Sequence, residues 1–282
     1  MVDAYRPQSL EEALLLRSET GAIPFAGGTD LMVKYRYESG AVPEYPGPIL
    51  FLPQLKELRG IRVSEEEIRI GAGSTLSEIL HSPQVPELLK EAVRTIAAPG
   101  LRNTATLGGN ICNASPAADG VCALYALNAR ARVASAGSER ELPLYDFITG
   151  PGKTILGEDE LLVAIILPME QLSLHLFRKV GTRRANALAK LNIAATAKLR
   201  GDRVDEVRIA LGAVAPVVLR SLELEKQMAG LTKTELSKKL EYFVEGYEAM
   251  IRPIDDQRST AEYRGKVSVK LLRQFLSSLI DA

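Results

Sequence analysis

The chain has 282 residues, 46% of them hydrophobic and 25% charged, the balance of an ordinary soluble globular protein with room for about two domains. Lysine plus arginine equals aspartate plus glutamate at 35 each, so no global field draws it to nucleic acid or to an anionic membrane. Two cysteines (Cys112, Cys122) and two histidines (His81, His175) are too few for an iron–sulfur cluster or a structural zinc site, and they leave any catalysis to a borrowed cofactor. The longest apolar runs, such as Leu161–Leu167, fall far short of the ~20 residues of a membrane helix. The opening M-V-D-A-Y-R-P has no apolar signal core, so a cytoplasmic location is expected.

In chain order, Ser9-x-x-Glu12 is a capping box opening a helix that Thr20-Gly21 stops. A-I-P-F-A (22–26) reads as a short buried strand running into Gly27-Gly28, and L-M-V-K-Y-R-Y as a following helix. The proline-rich 41–48 is a loop, and I-L-F-L after it a strand, which makes the first third a βαβ-type unit with a glycine turn at a strand end. I-R-V-S-E-E-E-I-R-I-G-A reads as a hairpin, Thr75-x-x-Glu78 as a helix cap, and 86–98 as a helix ended by Pro99-Gly100. Strands are expected at 130–135, 160–167, 191–199 and 207–214, and helices at 221–229, 233–251 and 259–280, the last opened by Ser259-x-x-Glu262. The fold class is α+β in three parts, 1–55, 56–171 and 172–282.

Two nucleotide-like motifs fail on inspection. G-A-G-S-T-L (71–76) has Leu76 where the third glycine of a dinucleotide fingerprint belongs, and reads instead as a strand entering a capped helix. G-P-G-K-T (150–154) has Phe147 where a phosphate loop begins with glycine. The glycine pairs P-F-A-G-G-T-D-L (Pro24 to Leu31) and T-L-G-G-N (Thr106 to Asn110), about eighty residues apart, are better candidates. Gly27-Gly28-Thr29-Asp30 lies between strand and helix, where N–H groups form an anion-binding concavity. Thr106-Leu107-Gly108-Gly109-Asn110 offers the same again with side-chain hydrogen-bonding groups added. One phosphate needs one loop; two suit a pyrophosphate gripped from both sides. Either pair alone is equally a tight turn. A carboxylate repels a pyrophosphate, so Asp30 and Asp119 suit sugar or ribityl hydroxyls, or backbone N–H groups as caps. Cys112 and Cys122 read as small buried apolar residues, and the basic run 178–184 as a solvated turn or a face toward anionic groups.

Taken together, A-G-G-T-D, T-L-G-G-N-I-C-N-A-S-P-A-A-D, F-R-K-V-G-T-R-R-A-N-A-L-A-K-L-N-I-A-A, L-G-A-V-A-P and I-D-D-Q-R-S-T-A-E-Y-R resemble the FAD-binding medium subunit of molybdenum hydroxylases, over nearly the whole chain. The details G-N-I-C-N and T-G-P-G-K look nearest the bacterial xanthine dehydrogenase type. The resemblance implies a two-subdomain FAD-binding fold of the vanillyl-alcohol-oxidase type, with a C-terminal domain of antiparallel sheet and helices. It implies that Pro24, Phe25, Ala26, Gly27, Gly28, Thr29, Asp30 and Leu31 form one pyrophosphate loop, and that Thr106, Leu107, Gly108, Gly109 and Asn110 form the other. It also implies that Asp119 bonds the sugar or ribityl part, and that Leu162 and Lys179 line the flavin site. No catalytic acid or base and no metal ligand is implied on this chain.

The implied partners are a molybdenum-cofactor large subunit and a small subunit with two [2Fe–2S] clusters, with electrons leaving to NAD⁺ or another acceptor. Two alternatives stand beside it: a self-contained FAD-dependent oxidase, which needs its own substrate pocket and base, and a flavin-free scaffold subunit.

Overall fold

A computed structural model describes residues 3–38, 40–183 and 186–282. Ser9 caps the helix Leu10–Thr20 by accepting from the Glu12 N–H, and Gly21 ends it in the left-handed region at φ 62°. The strands Ala4–Tyr5 and Ile23–Phe25 flank Ile49–Phe51, both parallel to it, so the N-terminal part is the βαβ unit its pattern predicts. The helix after the glycine turn is shorter than expected, Leu31–Lys34.

The middle part is a five-stranded antiparallel sheet in the order Ile61–Val63, Glu67–Gly71, Leu161–Pro168, Arg130–Ala134, Glu139–Pro143. Its central strand is buried on both faces. Leu161 and Val163 pack into the N-terminal core, Leu162, Ile165 and Leu167 into the middle one. The capping box Thr75–Glu78 opens the helix Leu76–His81. The helix Glu87–Arg94 stops short of Pro99, and Pro99 begins a further turn, Pro99–Arg102, because proline fits the first helical position. The rejected phosphate loop is a hairpin, Ile148–Gly150 with Lys153–Thr154, turned at Gly152 (φ 69°).

The C-terminal part is a four-stranded antiparallel sheet, Leu174–Gly181, Ala189–Arg200, Arg203–Gly212 and Leu219–Arg220, covered by helices that share its apolar core. The edge strand Leu174–Gly181 takes up residues 178–181 of the basic run, so that stretch is not the solvated turn that was one of its two readings. Arg184 lies outside the described residues. The expected helix over 233–251 is two, Lys233–Lys238 and Leu240–Glu248, parted where Lys239 leaves helical geometry (φ −102°, ψ 8°). The last helix, Ala261–Asp281, is capped by Thr260, one residue beyond the expected Ser259. Among the described residues no helix is long and apolar enough to cross a membrane.

Candidate functional site

The strand Ile23–Phe25 delivers the first glycine pair. Gly28 adopts φ 68°, the left-handed conformation in which successive N–H groups turn to one side as an anion nest. A Cβ there would lie 2.3 Å from the Phe25 ring, which is itself stacked on Phe51. Gly28 therefore has no room for a side chain as well as an unusual backbone. Among the described residues, no protein acceptor takes the N–H groups of Gly27, Gly28, Thr29, Asp30 or Leu31. Asp30 precedes the short helix, is exposed, and makes no capping hydrogen bond.

The second pair lies beside the first. A Cβ on Gly27 would sit 2.1 Å from the Thr104 carbonyl oxygen, so the two backbones are in direct contact two residues before Thr106. Here the structure corrects the reading of a loop. Leu107–Cys112 is a helix, and Thr106 caps it by accepting the Gly109 N–H at 3.0 Å. The other N–H groups are also taken: Leu107 donates to the Ser74 carbonyl, Gly108 to Ala72 and Asn110 to Thr106. The dismissed 71–76 segment is thus the wall against which the second pair is built, and Gly108 is glycine because a Cβ would stand 2.6 Å from the Ala72 oxygen. What this region still offers is the Thr106 hydroxyl hydrogen, the exposed Gly109, and Asn110, whose Oδ1 is buried without a hydrogen-bond partner among the described residues.

Asp119 is the first residue of the helix Asp119–Ala126 and is 5% exposed. Lys179 Nζ donates to its Oδ2 at 2.6 Å, and Asn192 Nδ2 to its Oδ1 at 2.6 Å. Burial pushes the carboxyl above the ordinary carboxylate range; the charge of Lys179 and these hydrogen bonds oppose that. Lys179 Nζ also donates to the Thr95 carbonyl at 3.0 Å, tying the end of the helix Glu87–Arg94 to the C-terminal sheet. Both carboxylate oxygens are engaged within the protein, but a carboxylate has about four lone-pair sites, so acceptor capacity remains. Asn192 and Thr95 were not among the sequence candidates. The signal for Asn192 was present: one amide within the apolar strand L-N-I-A-A-T-A must find a buried partner.

A cavity of about 370 Å³ opens beside Lys179, with Glu91, Arg94, Thr95, Phe177 and Arg178 among its lining. Neither glycine pair lines it, so it belongs to the Lys179 end of the site. Leu162 is 7% exposed and packed in the middle core. It is the residue before Val163, whose carbonyl accepts the Ala72 N–H. Of the cysteines, Cys122 is buried and donates to the Ala210 carbonyl at 3.3 Å, whereas Cys112, expected to be buried, is exposed at the end of its short helix.

The profile of the FAD binding domain in molybdopterin dehydrogenase matches residues 1–170, and that of the CO dehydrogenase flavoprotein C-terminal domain matches 176–279. The chain belongs to this flavoprotein family. The medium chain of glyceraldehyde dehydrogenase from Sulfolobus acidocaldarius is 34% identical, over 95% of this chain and 94% of the relative. The xanthine dehydrogenase FAD-binding subunit of Escherichia coli O157:H7 is 30% identical, over 99% and 96%. A solved carbon monoxide dehydrogenase from Hydrogenophaga pseudoflava superimposes with a TM-score of 0.85 at 27% identity, covering 97% of this chain and 95% of that one.

As a member of the family the chain is an FAD-binding oxidoreductase subunit, and its local chemistry fits that cofactor. Free N–H groups at Gly27 to Leu31 suit an anionic diphosphate, and the orphaned Asn110 Oδ1 suits a hydroxyl donor.

Proposed function

We propose that this chain is the FAD-bearing electron-transfer subunit of a molybdenum hydroxylase. In this reading it takes electrons from the [2Fe–2S] clusters of a small subunit, which in turn serves a molybdenum-cofactor large subunit, and delivers them to NAD⁺ or another acceptor. When bound, FAD supplies the redox chemistry, and the chain supplies position and field. The observation that carries the reading is the run of five N–H groups at Gly27 to Leu31 that have no acceptor among the described residues, with Gly27 lying against the Thr104–Ala105 backbone. The segment Pro24 to Leu31 would hold the pyrophosphate through neutral backbone donors. Thr106 and Asn110 would complete the grip from the second side with side chains. Asp119 would accept from a ribityl or sugar hydroxyl through its remaining lone pairs. Lys179 would present a positive charge at the flavin end, and Leu162 would support that end from the core.

No side chain in this arrangement needs to act as a general acid or base. Its work is binding, orientation and charge. The test is a visible spectrum of the purified full chain before and after adding FAD, with released flavin identified by chromatography. Bands near ~370 and ~450 nm with FAD released support the reading. Release of FMN defeats the pyrophosphate argument. A protein that stays colourless with added FAD, alone and co-expressed with its partner subunits, defeats the flavin role.

A further inference from the structure

Strand pairing puts Lys179 directly opposite Asn192, and Asn192 directly opposite Gly212 on its other side. Paired residues share a face of the sheet, so the amide sits between the ammonium-bearing strand and a position without a side chain. Asn192 is 0% exposed and its Oδ1 has no hydrogen-bond partner among the described residues. A leucine of similar volume would avoid that unpaired buried carbonyl, which costs about 1–3 kcal/mol. What the amide provides instead is a charge-assisted hydrogen bond to Asp119 at 2.6 Å. The side chain is also held in place: a Cβ on Gly212 would fall 2.0 Å from Asn192 Oδ1.

Lys179 has three N–H donors. One goes to Asp119 and one to the Thr95 carbonyl, and the side chain, 9% exposed, lines the cavity of about 370 Å³. Its third donor is left for that cavity. Asn192 does not line the cavity.

We propose that Asn192 is a positioning residue for the buried Asp119–Lys179 pair, fixing the carboxylate so that the Lys179 ammonium holds a set place at the cavity wall. A cation fixed in a desolvated wall favours negative charge gained in the cavity far more than a mobile one does. The proposal rests on the flavin reading for its consequence, a raised reduction potential, but not for its geometry.

Two readouts therefore keep the failures apart. In the FAD-loaded full chain, Asn192→Leu and Gly212→Ala are expected to retain FAD while shifting its midpoint potential to more negative values. Thr196→Val removes a buried hydroxyl on the same strand that donates to the Ala126 carbonyl at 3.0 Å, so it should lower the melting temperature without moving the potential. In the cofactor-free chain, competitive labelling with acetic anhydride followed by mass spectrometry reads Lys179 directly. Its acylation should be slow in the wild type and about tenfold faster in Asn192→Leu and Gly212→Ala, as expected for a loss near 1.4 kcal/mol, and unchanged in Thr196→Val. Wild-type labelling rates in both variants overturn the proposal whatever the flavin does. Faster labelling with an unmoved potential in loaded protein overturns the redox consequence. Failure of the wild type to take up FAD, alone and co-expressed with its partner subunits, with faster labelling in the variants, sinks the flavin reading and leaves the positioning role intact.

Discussion

The two glycine pairs look alike in one dimension and differ in three. At Gly27-Gly28 the chain leaves a strand and its N–H groups find no acceptor among the described residues, with Gly28 in a conformation that needs glycine. At Gly108-Gly109 the chain enters a capped helix whose early N–H groups are bonded to Ser74, Ala72 and Thr106. The first pair leaves backbone donors without an acceptor among the described residues. The second is a packing joint, in which Thr106 is buried, Asn110 half-buried and only Gly109 exposed. A repeated motif thus tells where two backbones come close, and only the hydrogen-bond account of each N–H tells which one is left to bind something.

The comparison can be broken most directly at Gly28. Gly28→Val combines about 1–3 kcal/mol of backbone strain with a clash against Phe25, so FAD affinity should fall by about a hundredfold or more, measured by flavin titration. Gly108→Ala should act on the fold instead. Its Cβ meets the Ala72 backbone, which cannot swing aside, and overpacking of this kind costs about 1–3 kcal/mol, read as a lower melting temperature of the cofactor-free chain. If Gly108→Ala lost FAD with its stability unchanged, the distinction between the two pairs would be wrong. Asn110→Ala should give opposite signs in two assays. Removing a buried unpaired acceptor should leave the cofactor-free chain unchanged or about 1 kcal/mol more stable, while FAD binds about tenfold more weakly.

The smallest effect separates binding from folding by pH. Burial pushes Glu206 up, but hydrogen bonds from Arg208 at 2.6 Å and the Lys198 ammonium at 2.9 Å outweigh it and hold the carboxyl at about 2, below its ordinary 4.5. Because the folded value is the lower one, its stabilising contribution is complete above about 4.5 and is lost as pH falls toward about 2. The fold should weaken through that window by chemical denaturation, and Glu206→Gln should flatten the slope. The N–H groups at Gly27 to Leu31 do not titrate there.

The parts of the molecule set by short-range rules were legible. The Ser9 cap, the Gly21 stop, the hairpin around 61–71 and the Thr75 capping box all form from neighbours a few residues apart. Leu107–Cys112 was not, because two glycines in one turn argue against a helix, and only the Thr106 cap and the wall at 72–74 stabilise it. The Asp119–Lys179–Asn192 cluster was half legible. Asp119 and Lys179 came from resemblance, while their bond and the role of Asn192 span 60 and 73 residues, across which no local spacing carries information. The two-helix break at Lys239 has no sequence mark that the structure explains.

The central strand Leu161–Pro168 has a consequence for how this chain is made. It pairs with Glu67–Gly71, roughly ninety residues earlier, and packs into both the N-terminal and the middle cores. On a ribosome, the first 150 residues therefore emerge with their glycine pairs, their caps and much of their apolar surface, but without the strand that closes either core. Pairings this distant in sequence form slowly and leave sheet edges open in the meantime. Truncations ending before Leu161 should accordingly aggregate rather than yield a small flavin-binding fragment.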